Sequence, residues 1–303
     1  MLVLQANGKL RNSFSSCFLR HRLHVSKRQR LHLKIVMAIG MESEDAVVNK
    51  DETGAPAGNP HSRRAGERTN GEGKAVGNSI LLAIPDEEFN ALRGELRYLD
   101  LPHHTVLHEP RQKLEFVYFL NEGMVSLVFK TQAGETVEVG VIGKEGFTPI
   151  PVIAGLRSSP HQAIMQISGN GFRLPVEALQ AHLENCSRLQ AAMNRYSTVH
   201  SLQVAQTAGC NRLHDLEQRL ARWLLLTQDR VGSGLLRITH EFLATMLGTD
   251  RPSVTLAAGA LQKKKIIEYT HGSVRVINRK KLESSACECY SVIQHFNAEL
   301  ASK

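Results

Sequence analysis

Apolar positions change their period twice along the chain. Between residues 79 and 97, Ile80, Leu81, Leu82, Phe89, Leu92 and Leu96 recur at helical spacing, and Pro85 starts a second turn, which predicts short helices. From Tyr98 to Leu174 the pattern becomes one of short strands, among them Phe116–Leu120, Met124–Lys130 and Thr136–Ile142. Asn121-Glu122-Gly123, Ala133-Gly134-Glu135, Gly143-Lys144-Glu145-Gly146 and Gly169-Asn170-Gly171 read as the turns between them. Many short strands with glycine turns predict a barrel or sandwich. After Pro175 the helical period returns. Residues 187–210 contain no proline, and no glycine before Gly209, so they predict a rod of about 36 Å at 1.5 Å per residue. Leu189, Met193, Tyr196 and Val199 fall on one stripe, followed by the more polar Gln203 and Gln206. Such a stripe serves either a core of its own domain or a seam with a second copy, and spacing does not choose between them. Leu213, Leu216, Leu220, Trp223 and Leu224 define a further amphipathic helix, ended by Gly232 and Gly234.

Residues 236–277 are the most informative. Thr239 is a suitable N-cap for a helix that buries Phe242, Leu243, Met246 and Leu247, and Gly248 breaks that helix into a tight turn. Asp250 caps the next helix, with Pro252 in its first turn, where a missing N–H costs nothing. Val254, Ala257, Ala258 and Leu261 form its buried face, and Lys263–Lys265 close its negative end. Ile266–Tyr269 and Ser273–Ile277 then pair around His271-Gly272 as a wing. Helix, turn, helix and wing in this order predict a unit whose second helix enters a major groove with its N-terminal side chains nearest the bases. Arg251, Ser253 and Thr255 face outward there. Arg251 can donate twice to guanine, while Lys263, Lys264 and Arg275, with Thr239, suit backbone contacts. A solvated lysine face at 263–265 is an equally open reading.

Charge sharpens this picture only when read locally. The net charge is +8, yet residues 1–41 hold eight Lys/Arg and no acid, leaving 29 basic against 29 acidic residues elsewhere. Residues 235–281 concentrate nine Lys/Arg against three acids, the footprint a polyanion needs. Residues 1–36 read either as a basic arm or transit-like peptide or, the favoured reading, as a tail without function, with Met37 and Met41 as alternative starts, and 42–77 read as disordered. No stretch approaches the roughly 18 apolar residues of a membrane span, so no membrane partner is expected. The five cysteines are odd in number and scattered, which argues against a disulfide framework and fits a cytoplasmic location.

The 236–277 string resembles the DNA-binding domain of the Crp/Fnr (catabolite-activator-like) regulators, carried by Gly248, Arg251, Ser253, Val254, Leu261 and Ile266-Ile267. Phe116–Leu120 followed by Glu122-Gly123-Met124-Val125 is similar to that family's β-roll strand, and 187–210 sits where the family places its dimer helix. The resemblance spans about residues 78–283. It implies an α+β chain: a double-stranded β-helix (cyclic-nucleotide-binding-like β-roll), a long dimerisation helix and a C-terminal winged helix-turn-helix. The expected divisions are a tail at 1–77, a sensor at 78–186, the dimer helix at 187–210, the DNA-binding domain at 211–283 and an extension at 284–303. Expected partners are double-stranded DNA, a second copy, and RNA polymerase if the protein activates. Where the catabolite activator's recognition helix carries Arg-Glu and a second Arg, this chain keeps Arg251 but places Pro252 and Leu256 in the other two positions, so a different DNA site is expected.

The same resemblance bears on the effector. Members that bind cyclic AMP use a Gly-Glu pair and an Arg-Ser/Thr-Ala run. Here the corresponding segments read Gly143-Lys144-Glu145-Gly146 and His161-Gln162-Ala163, with Arg157-Ser158 displaced to an earlier loop. Without a guanidinium in place, burying a cyclic phosphate is costly. The effector is therefore left unassigned and cyclic AMP disfavoured. Only Cys17 lies near the N-terminus, and an iron–sulfur cluster needs about four thiolates. Cys287-x-Cys289 reads as the apolar side of a terminal helix with Ala286, Tyr290 and Ile293, and neither cofactor nor metal is expected. His103-His104 carries no haem signature. P-loop, G-x-S-x-G, HExxH and Rossmann fingerprints are all missing, so catalysis is not expected. The rival reading is a sensor module that regulates a partner protein through its winged-helix surface.

Overall fold

The computed structural model describes residues 63–270 and 272–301. The readings made on residues 1–62, Cys17 and the alternative starts among them, lie outside the described residues.

Order begins earlier than Asn78, which corrects the expected disordered tail at residues 63–77. Arg68 is buried and donates to the carbonyls of Leu81 and Ile84 at 2.6 and 2.7 Å, and to Asp86 Oδ1 at 2.7 Å. Asn70 is fully buried and donates to Leu96 O at 2.8 Å. The segment is held by side chains satisfying backbone carbonyls. A search for apolar periodicity does not register that kind of order. Asn78 then caps α1 (Ser79–Ala83) and also donates to the carbonyls of Leu120 and Gly146, stapling the helix to the sheet. Helix α2 (Asp86–Arg93) follows, with Phe89 and Leu92 inward.

The roll is a six-stranded antiparallel sheet: β1 (Arg97–Leu101), β2 (Val106–His108), β3 (Phe116–Lys130), β4 (Thr136–Ile142), β5 (Phe147–Thr148) and β6 (Gln162–Pro175). Its main path runs β1-β6-β3-β4, with β2 beside β6 and β5 beside β3. Two of the four expected turns are not turns. Asn121-Glu122-Gly123 lies inside β3 and Gly169-Asn170-Gly171 inside β6, where register shifts at Leu120/Glu122 and Glu122/Met124 mark bulges. The glycines are there because the two backbones touch. A Cβ on Gly169 would sit 2.0 Å from Glu122 O, and one on Gly171 would sit 2.4 Å from Phe119 O.

Helix α3 (Val176–Leu183) leads into the long α4 (Ser187–Leu213), which runs past Gly209. Leu189, Met193 and Tyr196 of the stripe are buried in the core of the chain's own roll, and Val199 is also buried. On the outward face Ala191, Leu202, Ala205, Ala208 and Gly209 are exposed. The chain breaks at His214-Asp215, beyond the expected helix end at residue 210, and Asp215 with Gln218 forms a capping box for α5 (Leu216–Val231). Leu213 belongs to α4 and is 77% exposed, so it is not part of the α5 face. Gly232 closes α5 in the left-handed conformation.

The remainder is β7 (Leu235–Leu236), α6 (His240–Leu247), α7 (Arg251–Lys263), β8 (Ile267–Thr270), β9 (Ser273–Val276), α8 (Arg279–Ser285) and α9 (Cys289–Ala301). A second core joins α5, α6 and α7 to Met124, with Val141 and Ile167 of the roll packed against it. Glu138 of β4 is buried at this junction. It accepts from Ser126 Oγ at 2.5 Å and from Trp223 Nε1 at 2.9 Å.

Candidate nucleic-acid interface

The helix pair is built as its sequence dictates. Thr239 Oγ1 accepts from Phe242 N at 3.1 Å, capping α6, and Gly248 at φ 60° ends it. That residue supplies the left-handed turn that lets α7 cross α6 closely. Asp250 Oδ1 accepts from Ser253 N at 2.8 Å, and Ser253 Oγ donates to Asp250 Oδ2 at 2.9 Å. These bonds from the Ser253 N–H and hydroxyl hold the Asp250 carboxyl below its ordinary range. Val254, Ala257, Ala258 and Leu261 face inward, as expected.

The amino end of α7 is exposed. The Arg251 guanidinium makes no hydrogen bond or ion pair to the described residues, so it is available to a ligand. Thr239, His240, Glu241, Arg251, Tyr269, Thr270 and Gly272 line one cleft, which brings Arg251 and Thr239 beside the wing. Ser253 and Thr255 share that end, but their hydroxyls already have partners. Thr255 Oγ1 donates to Arg251 O and accepts from His240 Nδ1, both at 3.0 Å. His240 also stacks on Tyr269, ring centroids 3.8 Å apart. Burial, then the nearby Arg251, lowers the His240 pKa, which favours the neutral ring. His240 and Tyr269 thus fix the angle between α6, α7 and the wing. The sequence reading missed both, because an apolar-face count registers neither. Leu256 is 76% exposed on the outward side of the same helix.

Lys263 and Lys264 do not join this cluster. They lie twelve and thirteen positions from Arg251, about 18 Å along the axis, and Lys264 is ion-paired with Glu217. Arg275 is exposed on β9. Its neighbour across the wing is Glu268. The wing forms as expected, with Gly272 at φ 73°; His271 lies outside the described residues. On the other flank, Phe129, Thr136 and Val137 of the β3–β4 hairpin share a groove with Thr245, Gly248 and Arg251.

Residues 218–285 match the model of the Crp-like helix-turn-helix domain. The global nitrogen regulator of Nostoc sp. is 26% identical over 176 residues, covering 55% of this chain and 79% of the relative. Its counterpart in Synechococcus elongatus is 25% identical over 178 residues, covering 56% and 80%. Among solved structures, a Crp/Fnr-family transcriptional regulator from Eubacterium rectale superposes with a TM-score of 0.54 at 16% identity, covering 66% of this chain and 94% of that one. FixK2 from Bradyrhizobium japonicum gives 0.53 at 15%, covering 63% and 98%. The solved structures establish the fold: a β-roll followed by a C-terminal helix-turn-helix. With the domain match, the relatives, and a capped second helix whose Arg251 guanidinium has no partner among the described residues, the chain carries a Crp-like helix-turn-helix domain and is a DNA-binding transcription regulator of the Crp/Fnr type.

Proposed function

We propose that the protein binds an inverted-repeat operator as a homodimer, each copy placing the amino end of α7 in the major groove. The observation that carries this reading is the exposed Arg251 at that end, whose guanidinium has no partner among the described residues. Arg251 donates in bidentate fashion to a guanine. Leu256, five residues on, meets a thymine methyl, a role that suits an exposed apolar side chain. Thr239 and Arg275 contact phosphates. Ser253 and Thr255 act chiefly by shaping the helix end, and Lys263 and Lys264 reach only flanking backbone. Two copies meeting along the outward face of α4 set α7 and its mate roughly 34–36 Å apart. The division at 78–186, 187–210, 211–283 and 284–303 serves this reading once its tail is shortened to residues before 63 and its helix extended to Leu213.

The β3–β4 hairpin stands beside Arg251, so groove entry requires the C-terminal domain to swing clear about His214-Asp215. The roll's effector controls that swing, and several features speak against cyclic AMP. Arg157 is on the surface, paired with Glu177 at 3.2 Å. Glu145 is bound to Arg230 at 2.8 Å, and Gly146 is closed over by the Tyr196 ring. The working compartment is the cytoplasm, and an activating role would bring RNA polymerase as a partner.

The test is selection of bound duplexes from a random pool by the full chain, followed by affinity measurements at fixed salt. Arg251→Ala is expected to weaken the selected site by about 5- to 150-fold, the equivalent of about 1–3 kcal/mol, and to relax one base position. Equal affinity and equal selectivity for wild type and variant would overturn the reading. Micromolar binding of cyclic AMP in calorimetry would overturn the effector reading alone.

A further inference from the structure

Three cysteines and a histidine from distant parts of the chain meet where α4 ends. Cys210 lies in the last turn of α4, His214 is its C-cap, and Cys287 and Cys289 lie at the start of the C-terminal extension. The ligand atoms of all four lie within 4.8 Å of one another. Cys210 Sγ is 3.4 Å from Cys287 Sγ, and Cys289 Sγ is 3.6 Å from His214 Nδ1. The three cysteines are buried and form an apolar cluster of their own. The sequence reading of Cys287 and Cys289 as one side of a terminal helix is right about burial. It missed the partners, which no local spacing shows.

We propose that this cluster is a Cys3His site for a single zinc ion. Tetrahedral zinc holds sulfur at about 2.3 Å and nitrogen at about 2.0–2.1 Å, which separates two sulfurs by about 3.8 Å and a sulfur from a nitrogen by about 3.6 Å. The Cys210–Cys287 and Cys289–His214 separations need adjustments of at most a few tenths of an ångström, and with every pair within 4.8 Å the others need about 1 Å or less. The outer shell also fits. His214 Nε2 bonds Glu288 Oε1 at 3.1 Å, which fixes the tautomer and leaves the Nδ1 lone pair facing the thiols. Gln206 Nε2 donates to Cys289 Sγ at 3.1 Å, as a coordinated thiolate requires. Charge completes the case. Three thiolates, a neutral imidazole and Zn2+ sum to one negative charge, and the buried Arg222 lies within electrostatic reach of Cys210. Its Nε has no hydrogen-bond partner among the described residues.

Other occupants fit less well. A disulfide between Cys210 and Cys287 would leave Cys289 and His214 facing each other without a role. An iron–sulfur cluster interposes several irons and sulfides, and this tight a ligand set has no room for them. Four protein ligands leave no open position, so the site is structural and not catalytic. Its consequence is mechanical: one ion fastens the entry and the exit of the C-terminal domain to the same point.

The experiment uses the reduced full-length chain and does not involve DNA. Elemental analysis is expected to find one zinc per chain in wild type and in Cys186→Ser, and none in the Cys287→Ser/Cys289→Ser double variant. Cobalt added to metal-free protein should give the visible bands of a tetrahedral ion with thiolate charge transfer. His214→Cys should keep the ion and shift those bands, which guards against simple misfolding of the serine variant. Glu288→Gln should weaken zinc binding by about tenfold. A reduced wild-type chain that takes up neither metal would overturn the proposal. So would zinc binding that survives the double variant, an iron–sulfur absorption spectrum, or a Cys210–Cys287 disulfide that persists in reductant.

Discussion

Replacing Glu138 with glutamine should remove a pH dependence that the wild-type fold carries. Glu138 stands on β4 against α5, buried between Ser126 and Trp223, with Arg222 and Arg230 the charged groups that bear on it. Burial pushes its pKa up to about 7 from 4.5, against the opposing pull of the two hydrogen bonds and the two guanidiniums. An acid whose folded pKa is raised binds its proton more tightly in the folded state. Its stabilising contribution is complete below about pH 4.5 and is lost as pH rises through about 7. At about 1.4 kcal/mol per pH unit, that window is worth about 3 kcal/mol. Glutamine keeps an acceptor for Trp223 and donates to Ser126 with no proton to lose. The assay is urea unfolding of both proteins between pH 5 and 8.5. The difference in stability, variant minus wild type, should grow by about 3 kcal/mol over that range. His200, whose pKa burial lowers to about 4, makes stability fall as pH drops below the ordinary histidine range, and it does so in both proteins, so it cancels. Parallel profiles would refute the reasoning by showing that Glu138 titrates normally or reaches water.

Two further outcomes follow from the geometry. Gly146→Ala would set a methyl 1.9 Å from the Tyr196 ring and should cost about 3 kcal/mol or more by thermal unfolding; in a Tyr196→Leu background the added methyl should cost far less, a non-additivity that a double-mutant cycle reads directly. Asp250→Ala removes the cap of α7 and should lower stability by about 1 kcal/mol, measured by urea unfolding, with Asp250→Asn close to wild type.

The helix pair was legible residue by residue because every step of it is local. A cap, a left-handed glycine, a second cap and an apolar face three and four apart leave their marks within thirty positions. The roll was legible in kind but not in detail. Gly123 and Gly169 resemble turn residues in sequence, and their real task, letting β3 and β6 touch, depends on a partner more than forty positions away. The order at Arg68 and Asn70 escaped because carbonyl acceptors have no signature in a sequence. The stripe on α4 was seen correctly as apolar, but its target, the chain's own roll, is set by tertiary packing. In the candidate interface Arg251 was legible from its place after the cap. His240 was not, since its part is to tie Thr255 across two helices.

Residues 216–285 leave the roll and return to it at one corner, beside Cys210 and Cys287. Once its packing on Met124, Val141 and Ile167 and its bonds to Glu138 and Glu145 are released, that body is held at a single corner and behaves as a lever. Helix α5 alone has sixteen residues and is about 24 Å long, so a rotation of about 10° at His214-Asp215 carries its far end through about 4 Å. Such a sweep is comparable to one turn of helix. A small disturbance at that hinge is therefore magnified into a large change in where α7 points, with no internal repacking of the moving part.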